Sequence, residues 1–151
     1  AYRGAERRFQ FKGEYNGAMI YDDYAHHPGE LHVLLDTAKT LGYDRIICAF
    51  QPHTYTRTKA LFGDFVHELQ RPDITILAEI YAAREKNTVG ISSQDIADNI
   101  PGAVYCPTLA DVTAKLKELA RPGDLILTVG AGDIYQAGEA LVNQDKTSSA
   151  Q

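Results

Sequence analysis

Most of the side chains able to do chemistry in this sequence fall in a few short polar segments. The first is Asp22-Asp23-Tyr24-Ala25-His26-His27-Pro28, two carboxylates and two imidazoles just before a proline. Proline is favoured in the first helical turn, and helix N-termini attract anions, so this segment could meet a negatively charged ligand. An Asp at a strand end can also accept the hydroxyls of a ribose. Equally, Asp23 can cap the turn while one histidine simply packs, and the residue types alone weigh the two evenly. The second segment is Gln51-Pro52-His53-Thr54-Tyr55-Thr56-Arg57-Thr58. Arg57 offers a planar fork suited to a carboxylate or phosphate. A solvated helix start capped by Thr56 or Thr58 is the plainer alternative, but the density of donors favours binding. Glu79, Tyr81, Arg84, Glu85 and Lys86 form a third group, and Gly130-Ala131-Gly132-Asp133 a fourth. The glycine pair does not complete a dinucleotide fingerprint, because the third glycine would fall at Tyr135. A tight strand-to-helix turn suits it better.

Other chemistries find little support. His26, His27, His53 and Asp22 lack the i, i+4 spacing of a helical zinc site, so no metal is expected. His32 and His67 fall beside apolar helical stripes and are given no role. Cys48 and Cys106 lie in apolar runs without CxxC spacing and read as free, reduced core thiols of a cytoplasmic protein.

The elements that must hold these segments follow from the apolar pattern. Asn16-Gly17 between Phe9–Tyr15 and Met19–Asp23 is a hairpin signal, since both residues accept positive φ. Leu31, Leu34, Leu35, Ala38 and Leu41 mark one helical face, with Gly42 as a stop. Arg45–Phe50 reads as a strand buried on both faces. Leu61, Phe62, Phe65, Val66 and Leu69 space a second helix ended by Pro72, followed by the strand Ile74–Ala78. Tyr81–Ile91 reads as a loop, Ser92 or Ser93 as the cap of a short helix, and Ala103–Cys106 as a weak strand. Leu109 to Leu119 is a third long helix, Asp124–Val129 the clearest strand, and a helix follows to about Val142. Strands alternating with helices predict an α/β, Rossmann-like, mostly parallel sheet with helices on both faces and an N-terminal β-hairpin. Ligands of such sheets bind beyond the carboxyl ends of the strands, where all four polar segments fall.

Composition sets the limits. With 151 residues, 44% hydrophobic and 23% charged, one soluble domain is expected, placed at 1–143 with Gln144–Gln151 as a disordered tail. A net charge of −5 argues against nucleic acid as partner, and no apolar run approaches a membrane span. No GxxxxGK[ST] phosphate loop occurs, and the chain opens on Ala1 rather than Met, as an excised piece would.

Five segments together resemble one family. Gly4 to Phe9 (GAERRF), Asp22 to Pro28 (DDYAHHP), Phe50 to Thr58 (FQPHTYTRT), Ile80 to Lys86 (IYAAREK) and Gly123 to Tyr135 (GDLILTVGAGDIY) are similar to the C-terminal domain of the Mur ligases of bacterial peptidoglycan synthesis. The DYAH element is shared across Mur ligases and, more loosely, folylpolyglutamate synthases. The FQPH…TRT stretch points to the branch that adds L-alanine to UDP-N-acetylmuramate. The resemblance implies a three-domain cytoplasmic ligase whose phosphate loop lies in a central domain absent from this sequence. It implies a reaction in which MgATP activates the muramoyl carboxylate as an acyl phosphate and the alanine amine displaces phosphate. Position by position, Asp23 resembles the family's ribose-gripping Asp, and Arg8 the Arg that reaches the nucleotide. His26 resembles the catalytic His at the junction of phosphate and amino acid, and Arg57, His53 and Tyr24 the surroundings of the alanine carboxylate. Thr54 departs from members that carry a second Arg there. Mg²⁺ would be held mainly by the absent domain, and this domain alone would be inactive. Two alternatives stand beside this: a related ligase adding a peptide to the same sugar, and a free-standing Rossmann-like nucleotide-binding module.

Overall fold

A computed structural model describes residues 7–150, with side chains described through residue 143. The Gly4–Glu6 part of the first segment and Gln151 lie outside the described residues. The chain forms a six-stranded sheet of order β1-β2-β6-β3-β4-β5. The strands are β1 (Gln10–Tyr15), β2 (Ala18–Asp23), β3 (Arg45–Phe50), β4 (Ile74–Ala78), β5 (Val104–Cys106) and β6 (Asp124–Val129). Helices α1 (Pro28–Lys39), α2 (Tyr55–Ala60), α3 (Phe62–Glu68), α4 (Ser93–Ala97), α5 (Leu109–Leu119) and α6 (Tyr135–Ala150) lie between and after them. Only the β1–β2 pair is antiparallel. Its turn has Asn16 at φ 51° and Gly17 at φ 83°, and a Cβ on Gly17 would come within 2.8 Å of Pro122. The turn therefore demands glycine both for its backbone and for its neighbour.

The central strands show why the sheet needs helices on both sides. In β3, Ile46, Cys48 and Phe50 enter one core with Leu31, Leu35 and Phe65, while Ile47 and Ala49 enter the other with Val112, Leu116 and Leu141. Alternate side chains of an extended strand point to opposite faces, so a strand apolar at every position must be covered twice. Burial pushes the Cys48 thiol up to about 12, which keeps it protonated and inert.

Two local expectations are corrected. A further short helix, α2, precedes the expected one: the chain becomes helical at Tyr55, inside the polar segment 51–58, and the helix spaced by Leu61 to Leu69 is α3, divided from α2 at Leu61 (φ −110°, ψ 20°). Neither Thr56 nor Thr58 caps α2, since Thr58 is buried and its hydroxyl donates back to the Thr54 carbonyl at 2.6 Å. The other correction is at the end of the chain. The α6 backbone runs to Ala150, where composition predicted a disordered tail. Residues 144–150 contain neither Gly nor Pro, and a helix already nucleated on Ile134, Ala137 and Leu141 gains a bond with each added residue.

Placing β6 between β2 and β3 decides where a site can form. The chain moves outward from β3 to β5, then α5 returns it to the sheet centre as β6. Beside β3 the direction of winding reverses, and such a reversal leaves a crevice at the carboxyl ends. Into it lead the segments after β2, β3 and β6.

Candidate functional site

The crevice is built from the sheet edge outward. Gly130 follows β6 at φ 150°, and a Cβ there would meet the Gln51 carbonyl at 2.8 Å. A Cβ on Gly132 would lie 2.5 Å from Tyr81 and 2.6 Å from Gln51 Oε1. The glycine pair thus lets the post-β6 turn press against the post-β3 segment, as expected from sequence. Gln51 fastens the contact, its Nε2 donating to Asp133 at 2.8 Å and its Oε1 accepting from the Ile134 amide at 3.2 Å.

Asp23, at the end of β2, is 5% exposed. Its two oxygens accept from the Phe9 and Ala25 amides, both at 2.8 Å. The capping role weighed for it is therefore present, although the cap of α1 itself is His27, with Glu30 completing a capping box. Burial pushes the Asp23 carboxyl up, against the opposing pull of those two amides and of Arg8. The half-exposed Arg8 bonds Glu30 at 3.0 Å and lies 3.7 Å from Asp23. Arg8, Phe9, Asp23, Glu30, Val33 and Leu34 surround a groove of about 340 Å³.

A second group of side chains adjoins the first through Glu30, which accepts from the His26 amide at 3.1 Å. Burial works to raise the Glu30 carboxyl, but Arg8 and the His26 amide outweigh it and hold it below its ordinary value. His26 Nδ1 lies 3.1 Å from the Tyr24 carbonyl, and the two rings meet edge to face at 5.5 Å. The His53 ring lies 5.9 Å from His26 and stacks on Tyr81 at 5.6 Å. His53 Nδ1 is buried and has no hydrogen-bond partner among the described residues. The side chain of Arg57, in the first turn of α2, takes part in none of the hydrogen bonds or ion pairs found among the described residues.

Burial holds the His53 imidazole below its ordinary 6.5, helped by His26 and Arg57 and opposed by Glu85. His53 is thus expected to be neutral at pH 7 and to titrate below 6.5 in an NMR titration of its ring protons. A midpoint at or above 6.5 would reject the buried, cation-flanked setting. The sign for folding follows. Because the unfolded chain takes up this proton first, the contribution of His53 is whole above 6.5 and declines as pH falls toward the folded value.

The structure therefore brings His26, His53 and Tyr24 together, with Arg57 coupled electrostatically to His53 and with Asp23 and Arg8 one step away. Sequence reasoning assigned no role to three residues that build this edge, although it placed Glu79 and Glu85 in the third polar group. Arg7 bonds the buried Asp22 at 2.7 Å and the Gly130 carbonyl at 2.8 Å, and lies over the rings of Tyr24 and Tyr135. Glu79 accepts from Ser92 Oγ, Tyr105 Oη and the Ser93 and Ile80 amides. Glu85 caps α2 from across the fold. Apart from Ile80, the partners named lie 13 to 128 residues away along the chain, so spacing alone carries no signal of them. For metals, no group of three His, Cys, Asp or Glu able to hold an ion is found among the described residues.

Comparison with known proteins gives the geometry a context. A family model described as "Mur ligase, glutamate ligase domain" matches residues 7–132. UDP-N-acetylmuramate–L-alanine ligase of Agathobacter rectalis is 47% identical over 147 residues, covering 95% of this chain and 32% of that protein. The same-named ligase of Caldanaerobacter subterraneus is 45% identical over 149 residues. This chain spans about a third of the length of these relatives. The crystal structure of UDP-N-acetylmuramate–alanine ligase from Thermotoga maritima superposes with a TM-score of 0.75 at 27% identity, over 94% of this chain and 30% of that one. A domain of a related Haemophilus ducreyi ligase shares the fold, with a TM-score of 0.67 at 19% identity, and matches over 98% of its own length.

Proposed function

This chain belongs to the Mur ligase family through its glutamate ligase domain, and from that premise we propose that it is the C-terminal domain of an ATP-dependent ligase joining L-alanine to UDP-N-acetylmuramate in the cytoplasm. The proposed domain is 1–143. The observation that carries the reading is Arg57, a half-buried guanidinium with no hydrogen-bond or ion-pair partner among the described residues, coupled to His53, whose ring adjoins His26 at the winding reversal of the sheet. An Arg near an imidazole and without an anionic partner among the described residues is suited to an anionic ligand, and its fork matches a carboxylate. Arg57 clasps the alanine carboxylate, and His53 and Tyr24 shape its surroundings. His26 lies where amino acid and phosphate meet and is the catalytic residue of this domain.

The nucleotide end takes the neighbouring groove. Its volume of about 340 Å³ and its apolar wall of Phe9, Val33 and Leu34 suit part of a nucleoside. Asp23 keeps lone pairs free of its two amide bonds for ribose hydroxyls, and Arg8 reaches the nucleotide. Among the described residues no group able to hold a magnesium ion is found. The metal and the phosphates are held by the central domain, and domain closure brings the two together.

In this reading the isolated chain folds but releases no phosphate from ATP in the presence of UDP-N-acetylmuramate and alanine, whereas the full-length enzyme does. Steady release by the isolated chain would sink the assignment. Turnover of the full-length enzyme with a tripeptide in place of alanine would support the peptide-adding alternative. Binding of a nucleotide by an unattached chain would support the free-standing module.

A further inference from the structure

The short helix α2 carries Arg57 but cannot cap itself. Thr54 precedes it at φ 66° and makes no side-chain capping bond. The cap comes from a different loop: Glu85 accepts from the Tyr55 amide at 2.7 Å, the Thr56 amide at 3.2 Å and the Thr56 hydroxyl at 2.6 Å. The loop that delivers Glu85 is bent through two consecutive non-glycine residues in the left-handed region, Ala83 at φ 50° and Arg84 at φ 77°. Such conformations cost free energy and persist only where surrounding contacts impose them. Two backbone bonds join this loop to the root of α2. Thr54 donates to the Tyr81 carbonyl at 2.8 Å, and Tyr81 donates to the Pro52 carbonyl at 2.9 Å. The Tyr81 ring covers His53.

We propose that Glu85 is a positioning residue of the amino-acid site, holding the start of α2 through three hydrogen bonds and thereby fixing Arg57 in the same first turn. Glu85 touches no substrate. Its carboxylate is consumed by the two amides and the hydroxyl of α2, so it orients Arg57 without neutralising it. This deepens the reading of Arg57 as carboxylate clasp and rests on it. A catalytic clamp displaced by an ångström loses much of its effect, and an uncapped six-residue helix has little else to hold its first turn.

The test uses the full-length enzyme with alanine and ATP as varied substrates. Glu85→Ala should raise the alanine KM about tenfold while the ATP KM stays within twofold. Glu85→Gln, which keeps an acceptor at the same reach, should recover most of the loss and guards against misfolding of the alanine variant. In an Arg57→Ala background, Glu85→Ala should add nothing, because it acts through Arg57. Additive losses would overturn the proposal, as would equal rises in both KM values or an unchanged alanine KM in Glu85→Ala. If Arg57→Ala itself leaves the alanine KM unchanged, the carboxylate reading fails and this inference with it.

Discussion

Replacing Arg57 with lysine in the full-length enzyme is expected to raise the alanine KM roughly 10- to 150-fold, with kcat and the ATP KM little changed. Lysine keeps the charge but not the planar pair of donors, so one charge-assisted hydrogen bond to the carboxylate is lost. Such a bond is worth about 1.5–3 kcal/mol, and each 1.4 kcal/mol is about tenfold in affinity. The effect is expected to be at the high end because Arg57 has no ion pair among the described residues. Steady-state kinetics with each substrate varied in turn would decide it. A rise in the ATP KM with an unchanged alanine KM would place Arg57 on the nucleotide instead.

Substituting Arg7 is expected to have the largest effect on stability. Asp22 is 1% exposed, and its carboxylate is held by Arg7 Nε at 2.7 Å and the Thr128 hydroxyl at 2.7 Å. Arg7→Ala removes the charged partner and leaves a carboxylate in the sheet, while the Gly130 carbonyl loses a donor. Breaking a buried pair in this way costs about 3–5 kcal/mol. For a chain of this size each kcal/mol lowers Tm by about 2–4 °C, so the loss should be of order 10 °C. Arg8→Ala is the control one residue away. Its ion pair with Glu30 is half in solvent, and pairs of that kind contribute about 1 kcal/mol or less. Thermal unfolding of the two variants should therefore differ several-fold in Tm shift. Equal shifts would show that Arg7 does not hold Asp22 in the way its geometry implies.

The two arginines also show how far sequence could be read. Arg8 stood out through its resemblance to a family residue, whereas Arg7, the better-buried of the two, carried no signal. Its meaning depends on Asp22, Gly130 and Tyr135, which only the fold brings near it. Asp23 shows the converse. Its place at a strand end and its capping of the turn at Ala25 were visible, but the second amide it accepts from emerged only when Phe9 was set against β2. In α2 the local signal misled, because threonines that could cap a helix start are outcompeted by a glutamate about thirty residues on, Glu85.

By itself the sequence determined the strands and helices, the hairpin turn and the location of the polar segments after strands. Those follow from apolar periodicity and from the positive φ that Asn16 and Gly17 accept, both local properties of the chain. Its motifs also carried the family resemblance. Tertiary structure decided the insertion of β6 between β2 and β3, the division of α2 from α3, and the meeting of His26 with His53. It decided as well which charged groups satisfy one another and which, like the Arg57 side chain, have no ion pair among the described residues. Pairing of that kind is set by distances between residues far apart in sequence, and those distances exist only once both faces of the sheet have been buried.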